Sequence, residues 1–117
     1  MLATLWLRGF ALTIVTEELI AVPLLRSVEP SLARRMGAVL IANLATHPLV
    51  WFFFPHLGWS WTWVIVVAEV WAFGFEVFVY ALFFPRARLG RAILVSGCAN
   101  LASFLLGLLV VHLGFFR

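Results

Sequence analysis

All five acidic residues of this chain are glutamates, and four of them, Glu17, Glu18, Glu69 and Glu76, lie inside long apolar runs. A charged carboxylate in hydrocarbon costs about 2.5–3.5 kcal/mol on insertion scales, so an intramembrane glutamate points to function. Two chemistries fit. A carboxyl that takes up and releases a proton can couple to the passage of an ion or small molecule, and carboxylates joined by a histidine can hold a divalent metal. Glu69 and Glu76 are seven residues apart on one helix face, and Tyr80 continues that face. Asn43, Thr46, His47 and Trp51 share one side of another run; Ser96, Asn100, Ser103 and Gly107 form a stripe on a third. Each apolar run therefore has one polar face.

The residues that are missing exclude other chemistries. All eight cations are arginine, so there is no Schiff-base or P-loop lysine, and without Asp there is no aspartyl protease pair or aspartyl-phosphate. The single Cys98 cannot carry out dithiol exchange alone. No cofactor is expected. The basic balance comes from arginines at the ends of apolar segments, which act as topology signals rather than as a nucleic-acid surface.

These side chains need elements to position them, and composition indicates which. Of 117 residues, 65% are hydrophobic and 11% charged, which describes a membrane protein. The expected fold is all-α, a four-transmembrane-helix bundle forming a single membrane domain, with spans at about 5–25, 36–54, 61–84 and 92–116. The first run has no basic n-region or small-x-small cleavage site and is interrupted by glutamates, so it is expected to remain as a helix. The connectors after the first and third spans hold Arg26, Arg34, Arg35, Arg86, Arg88 and Arg91, against Arg8 and Arg117 on the other side. By the positive-inside rule the connectors are cytoplasmic and both termini are outside. Trp6, Trp51, Trp59, Trp61 and Trp63 then form an aromatic belt at the outer interface.

Counting about 1.5 Å per residue from the cytoplasmic ends puts Glu17, Asn43, Glu76 and Asn100 at one level, roughly 10–12 Å deep. Ser96 and Tyr80 lie below this layer, and His47 and Ser103 above it. The count predicts a polar cluster at the bundle centre, reached from the cytoplasm. Glu17 is favoured over Glu18 as the inward residue because Thr13 and Ala21 share its face; Glu18 would contact a partner or a crevice. Glu69 shares a level with Arg8 nearer the outer face, and the two are expected to form a structural ion pair.

Asn43-Leu-Ala-Thr-His-Pro48, Glu69 through Glu76 to Tyr80, and Ser96 through Asn100 to Gly107 resemble segments of small four-span bacterial inner-membrane proteins. The resemblance implies the four-span fold and no activity. Small multidrug resistance transporters are similar in length, span number and a first-span glutamate, but the arginine asymmetry argues against their antiparallel pairing. Three functions follow from the polar layer. The first is a small proton-coupled or ion/small-molecule transporter binding through Glu17, Glu18, Asn43, His47, Glu76, Tyr80 and Asn100. The second is an intramembrane metal-dependent enzyme using Glu17 or Glu18, His47 and Glu76. The third is an interaction subunit of a larger complex. The expected partners are the lipid bilayer and either a second copy or another membrane protein.

Overall fold

The apolar runs fold as helices because a backbone amide in apolar surroundings must find its partner within its own segment. In a computed structural model, which describes residues 1–115, the helices are α1 (Leu2–Leu24), α2 (Leu32–Phe52), α3 (Trp61–Phe83) and α4 (Leu89–His112). A 3-10 turn, Phe54–Leu57, follows α2 and ends at Gly58, whose φ of 71° suits a residue without Cβ. There is no strand among the described residues. Phe116, the expected end of the fourth span, and Arg117, counted as an outer cation, lie outside the described residues.

Both α2 and α4 begin before the apolar boundaries near 36 and 92, because their arginine-bearing first turns are already helical. Ser31 caps α2 by accepting from the Arg34 amide at 3.3 Å, while its own amide donates to Glu29 Oε1 at 3.0 Å. Arg34 also pairs with Glu29 at 3.2 Å, but Arg34 is exposed, so the pair contributes at most about 1 kcal/mol. Arg35 does more than signal topology. Its buried guanidinium donates to the carbonyls of Val22 at 2.6 Å and Pro30 at 3.4 Å, satisfying an open acceptor in the last turn of α1 and fixing the connector.

Each helix packs against two neighbours: α1 and α3 both lie between α2 and α4, and face each other across the centre. The interior is built from small residues, including Ala21, Ala38, Ala42, Ala92, Ser96 and Ala99, whereas Leu7, Val15, Leu19, Val70, Phe78, Leu82, Leu101 and Leu105 point outward. Small residues inside and large apolar ones outside are the pattern of helices associating in lipid. By length and composition α2 with its 3-10 turn, α3 and α4 can each cross a membrane. α1 is as long as α3, but Arg8, Glu17 and Glu18 set it apart from that class. At the connector end, Leu25, Val39, Val79, Tyr80, Phe84 and Val95 close the bundle with an apolar plug.

Candidate functional site

Directly above this plug, four polar side chains meet, one from each helix. Asn43 Nδ2 on α2 donates to Glu17 Oε2 on α1 at 2.6 Å and to its own helix at Val39 O, 3.0 Å. On the other side, Asn100 Nδ2 on α4 donates to Glu76 Oε2 on α3 at 2.6 Å and to Ser96 O at 2.9 Å. Glu17, Asn43 and Glu76 are each 1% exposed and Asn100 8%, so the four expected layer residues form a buried cluster. Ser103 Oγ is 3.1 Å from Glu17 Oε1, and Ser96 Oγ is 3.2 Å from Glu76 Oε2. The two carboxyl groups also lie within hydrogen-bonding reach of each other. A contact between two carboxyl oxygens is attractive only with a proton between them.

The two halves of this cluster are alike because the two halves of the chain are. Ala42-Asn43-Leu44-Ala45-Thr46 on α2 matches Ala99-Asn100-Leu101-Ala102-Ser103 on α4, and Arg34 matches Arg91. Burial follows the same register: Arg35, Ala38, Val39, Ala42 and Asn43 correspond to Ala92, Val95, Ser96, Ala99 and Asn100, all buried. On the partner helices Glu17, Ala21 and Leu25 correspond to Glu76, Tyr80 and Phe84. The hairpin α1–α2 is thus repeated as α3–α4. The halves are not identical: Ser96 reaches Glu76 where its counterpart is Val39, and Ser103 reaches Glu17, whereas Thr46, its counterpart, turns its hydroxyl to Ala42 O at 3.0 Å. Glu76 Oε1 receives no donor from the protein.

Above the carboxyls a cavity of about 350 Å³ runs between the helices toward the end that carries the N-terminus, past Leu12, Thr13, Ala72, Phe104, Gly107 and Leu108 to Leu5, Trp51, Glu69 and Val111. This corrects the expected route. The polar layer faces away from the arginine connectors, because the plug below it seals the connector end. Trp51, assigned to an interfacial belt by its position, instead lines the cavity. Gly9 makes this placement feasible, since a Cβ there would lie 2.7 Å from the Trp51 ring. Trp6 and Phe10 pack with Trp51 around His47, at ring-centroid distances of 6.4, 5.3 and 6.0 Å. His47 lines the cavity and its Nδ1 is buried without a partner. Only Trp59, Trp61 and Trp63 are exposed as a belt requires.

Three other expected positions differ. Tyr80 does not line the cavity; it is wholly buried in the plug one turn below Glu76, where the widening of side chains toward Phe84 closes the bundle. Glu18 points about 100° from Glu17 and is not part of the cavity wall. Arg8 and Glu69 share a level but not a direction: Arg8 is exposed beside the inward Gly9, Glu69 faces the cavity, and among the described residues the ion pair that forms is Arg34–Glu29. Among the described residues no three His, Cys, Asp or Glu side chains group as metal ligands.

The fold and site define an α-helical protein with three helices long and apolar enough to cross a membrane, built as two similar hairpins around a buried dicarboxyl pair at the floor of a cavity. Comparison with protein-family models, curated proteins and solved structures gives no significant match, so the functional reading stands on this geometry.

Proposed function

We propose that the chain crosses a bacterial inner membrane four times, with both termini outside the cytoplasm, and works as a small proton-coupled carrier of an ion or small molecule. Glu17 and Glu76 are its proton-exchanging pair. One observation carries the reading: two carboxyls from opposite helices meet in mutual hydrogen-bonding reach at the floor of an accessible cavity, each held by an asparagine. Two unpartnered polar atoms on the cavity wall, Glu76 Oε1 and His47 Nδ1, support it as well.

For α1 as a fourth span, support comes from its length, its outward Leu7, Val15 and Leu19, and the inward turn of Glu17. The arginine-rich connectors support the orientation, which makes the cavity open outward. Passage to the cytoplasm requires the plug of Leu25, Tyr80 and Phe84 to part. Two similar hairpins allow this by rocking against each other, as parallel repeats do in other carriers. The metal-enzyme alternative has no ligand set among the described residues. Proteoliposomes with an internal pH dye test the proposal. The wild type should move protons when its solute gradient is imposed, and Glu17→Gln and Glu76→Gln should stay folded without moving them. Equal proton movement in all three would refute it.

A further inference from the structure

We propose that the cavity binds a small organic monocation, a protonated amine whose ammonium group rests on the Glu17–Glu76 floor while its apolar body fills the shaft above. The inference rests on the proton-exchange reading of that floor and adds what is exchanged for the proton.

Size, charge and hydrogen bonding each narrow the choice. The cavity, at about 350 Å³, falls in the range of roughly 300–1,000 Å³ occupied by small-molecule sites. A bare inorganic ion would leave most of that space against Leu12, Phe104, Leu108 and Trp51, which offer no oxygen ligands. Three carboxyl residues, Glu17, Glu69 and Glu76, face the cavity, and no arginine lines it. His47 is the other titratable side chain on the cavity wall among the described residues; its ring is packed among Trp6, Phe10 and Trp51, so a cationic ligand would meet the carboxyls with no fixed cation beside them. Glu76 Oε1 requires a donor, which is either the proton shared with Glu17 or an N–H of the bound group. An ammonium offers both the charge and the hydrogens, and charge-assisted bonds of this kind are roughly twice as strong as neutral ones.

The exchange balances. In the empty site one proton lies between the two carboxyls, which leaves one negative charge. When the monocation binds, its N–H groups take over the carboxyl oxygens and the proton leaves to water at the mouth. One cation enters for each proton lost, and no bond to carbon is made or broken. Glu69, about 10 Å above Glu76 on the same face of α3, raises the local concentration of cations at the entrance.

Calorimetric titration of the purified protein in lipid nanodiscs tests this with three probes: 2-phenylethylammonium, its neutral isostere 2-phenylethanol, and sodium ion. Two buffers of different ionisation enthalpy count the protons released. The ammonium should saturate at one per chain, release about one proton, and bind about tenfold more weakly for each pH unit lowered while the proton is held. The alcohol and sodium should bind at least about tenfold more weakly, consistent with the loss of a charged hydrogen bond. Alcohol or sodium binding as tight as the ammonium, absence of proton release, or no ammonium binding would each overturn the proposal. These comparisons use only wild-type protein, so a folding defect in a variant cannot obscure them. Glu76→Gln should abolish proton release and weaken the ammonium by roughly 10–100-fold. A protonated-carboxyl infrared band that responds to pH in the wild type and disappears in Glu76→Gln separates the two levels. With that band present and no ammonium bound, the ligand class is wrong and the proton site stands; without the band, both fall.

Discussion

Gly9→Ala probes how the cavity wall is held. A Cβ at Gly9 would meet Trp51 Cζ2 at 2.7 Å and Cε2 and Cη2 at 3.4 Å. Carbon atoms prefer about 3.5–4.0 Å, so the closest contact falls short by about 1 Å. The indole cannot retreat freely, because His47 stacks on it at 6.0 Å and Trp6 and Phe10 pack behind His47. Overpacking of this kind costs about 1–3 kcal/mol, opposed by the gain of about 0.8–1.0 kcal/mol when alanine replaces glycine in a helix. Gly74→Ala is the control: it lies in α3 with nothing within 4 Å of its Cβ, so it keeps the helix gain and has no clash. The difference between the two variants isolates the clash at about 1–3 kcal/mol, or roughly 4–8 °C in midpoint per kcal/mol for a chain near this size. Thermal unfolding in detergent, followed by tryptophan fluorescence, measures it. On a Trp51→Phe background the penalty should largely vanish, a coupling of the same size. If Gly9→Ala unfolds at the same temperature as Gly74→Ala, Trp51 does not rest on α1 and the wall is not built as described.

The repeated hairpin predicts that Asn43→Leu and Asn100→Leu each cost about 1.5–3 kcal/mol, since each removes the shortest hydrogen bond to a buried carboxyl oxygen, although Glu76 Oε2 keeps Ser96 Oγ at 3.2 Å. Denaturant titration of the two variants should give similar losses, and a large loss in one with none in the other would break the equivalence. Arg8→Leu and Glu69→Leu should be additive within about 0.5 kcal/mol, because the two residues face different ways; a double variant much more stable than that sum would restore the ion pair. An alkaline-phosphatase fusion after residue 117 should be active and a fluorescent-protein fusion dim in cells; the reverse would place the cavity mouth in the cytoplasm.

Much of the site is legible along the chain. Helical rise is nearly constant, and the arginine connectors mark where each run starts, so depth can be counted without knowing any contact. That is why Glu17, Asn43, Glu76 and Asn100 emerge as one layer, and why Thr13 and Ala21 indicate the inward side of α1. Counting depth and polar faces misses the repeat, although its signal lies in Ala-Asn-Leu-Ala-Thr against Ala-Asn-Leu-Ala-Ser, an alignment that makes Thr46 the counterpart of Ser103. Depth carries no rotation, however. Arg8 and Glu69 stand at one level, which is all that pairs them in the sequence, while the close approach of α1 at Gly9 turns Arg8 outward and draws Trp51 inward.

Composition, period and arginine placement thus determined by themselves that this chain makes apolar helices with polar faces and a shared polar level, because those properties reside in single segments. Which end of that level is closed, which carboxyl oxygen lacks a donor, and whether an aromatic ring anchors the bundle or walls a cavity were decided only when the helices packed. Each depends on how side chains from different helices share one small volume: Tyr80 and Phe84 fill the connector end, while Gly9, Ala72 and Gly107 leave room above the carboxyls.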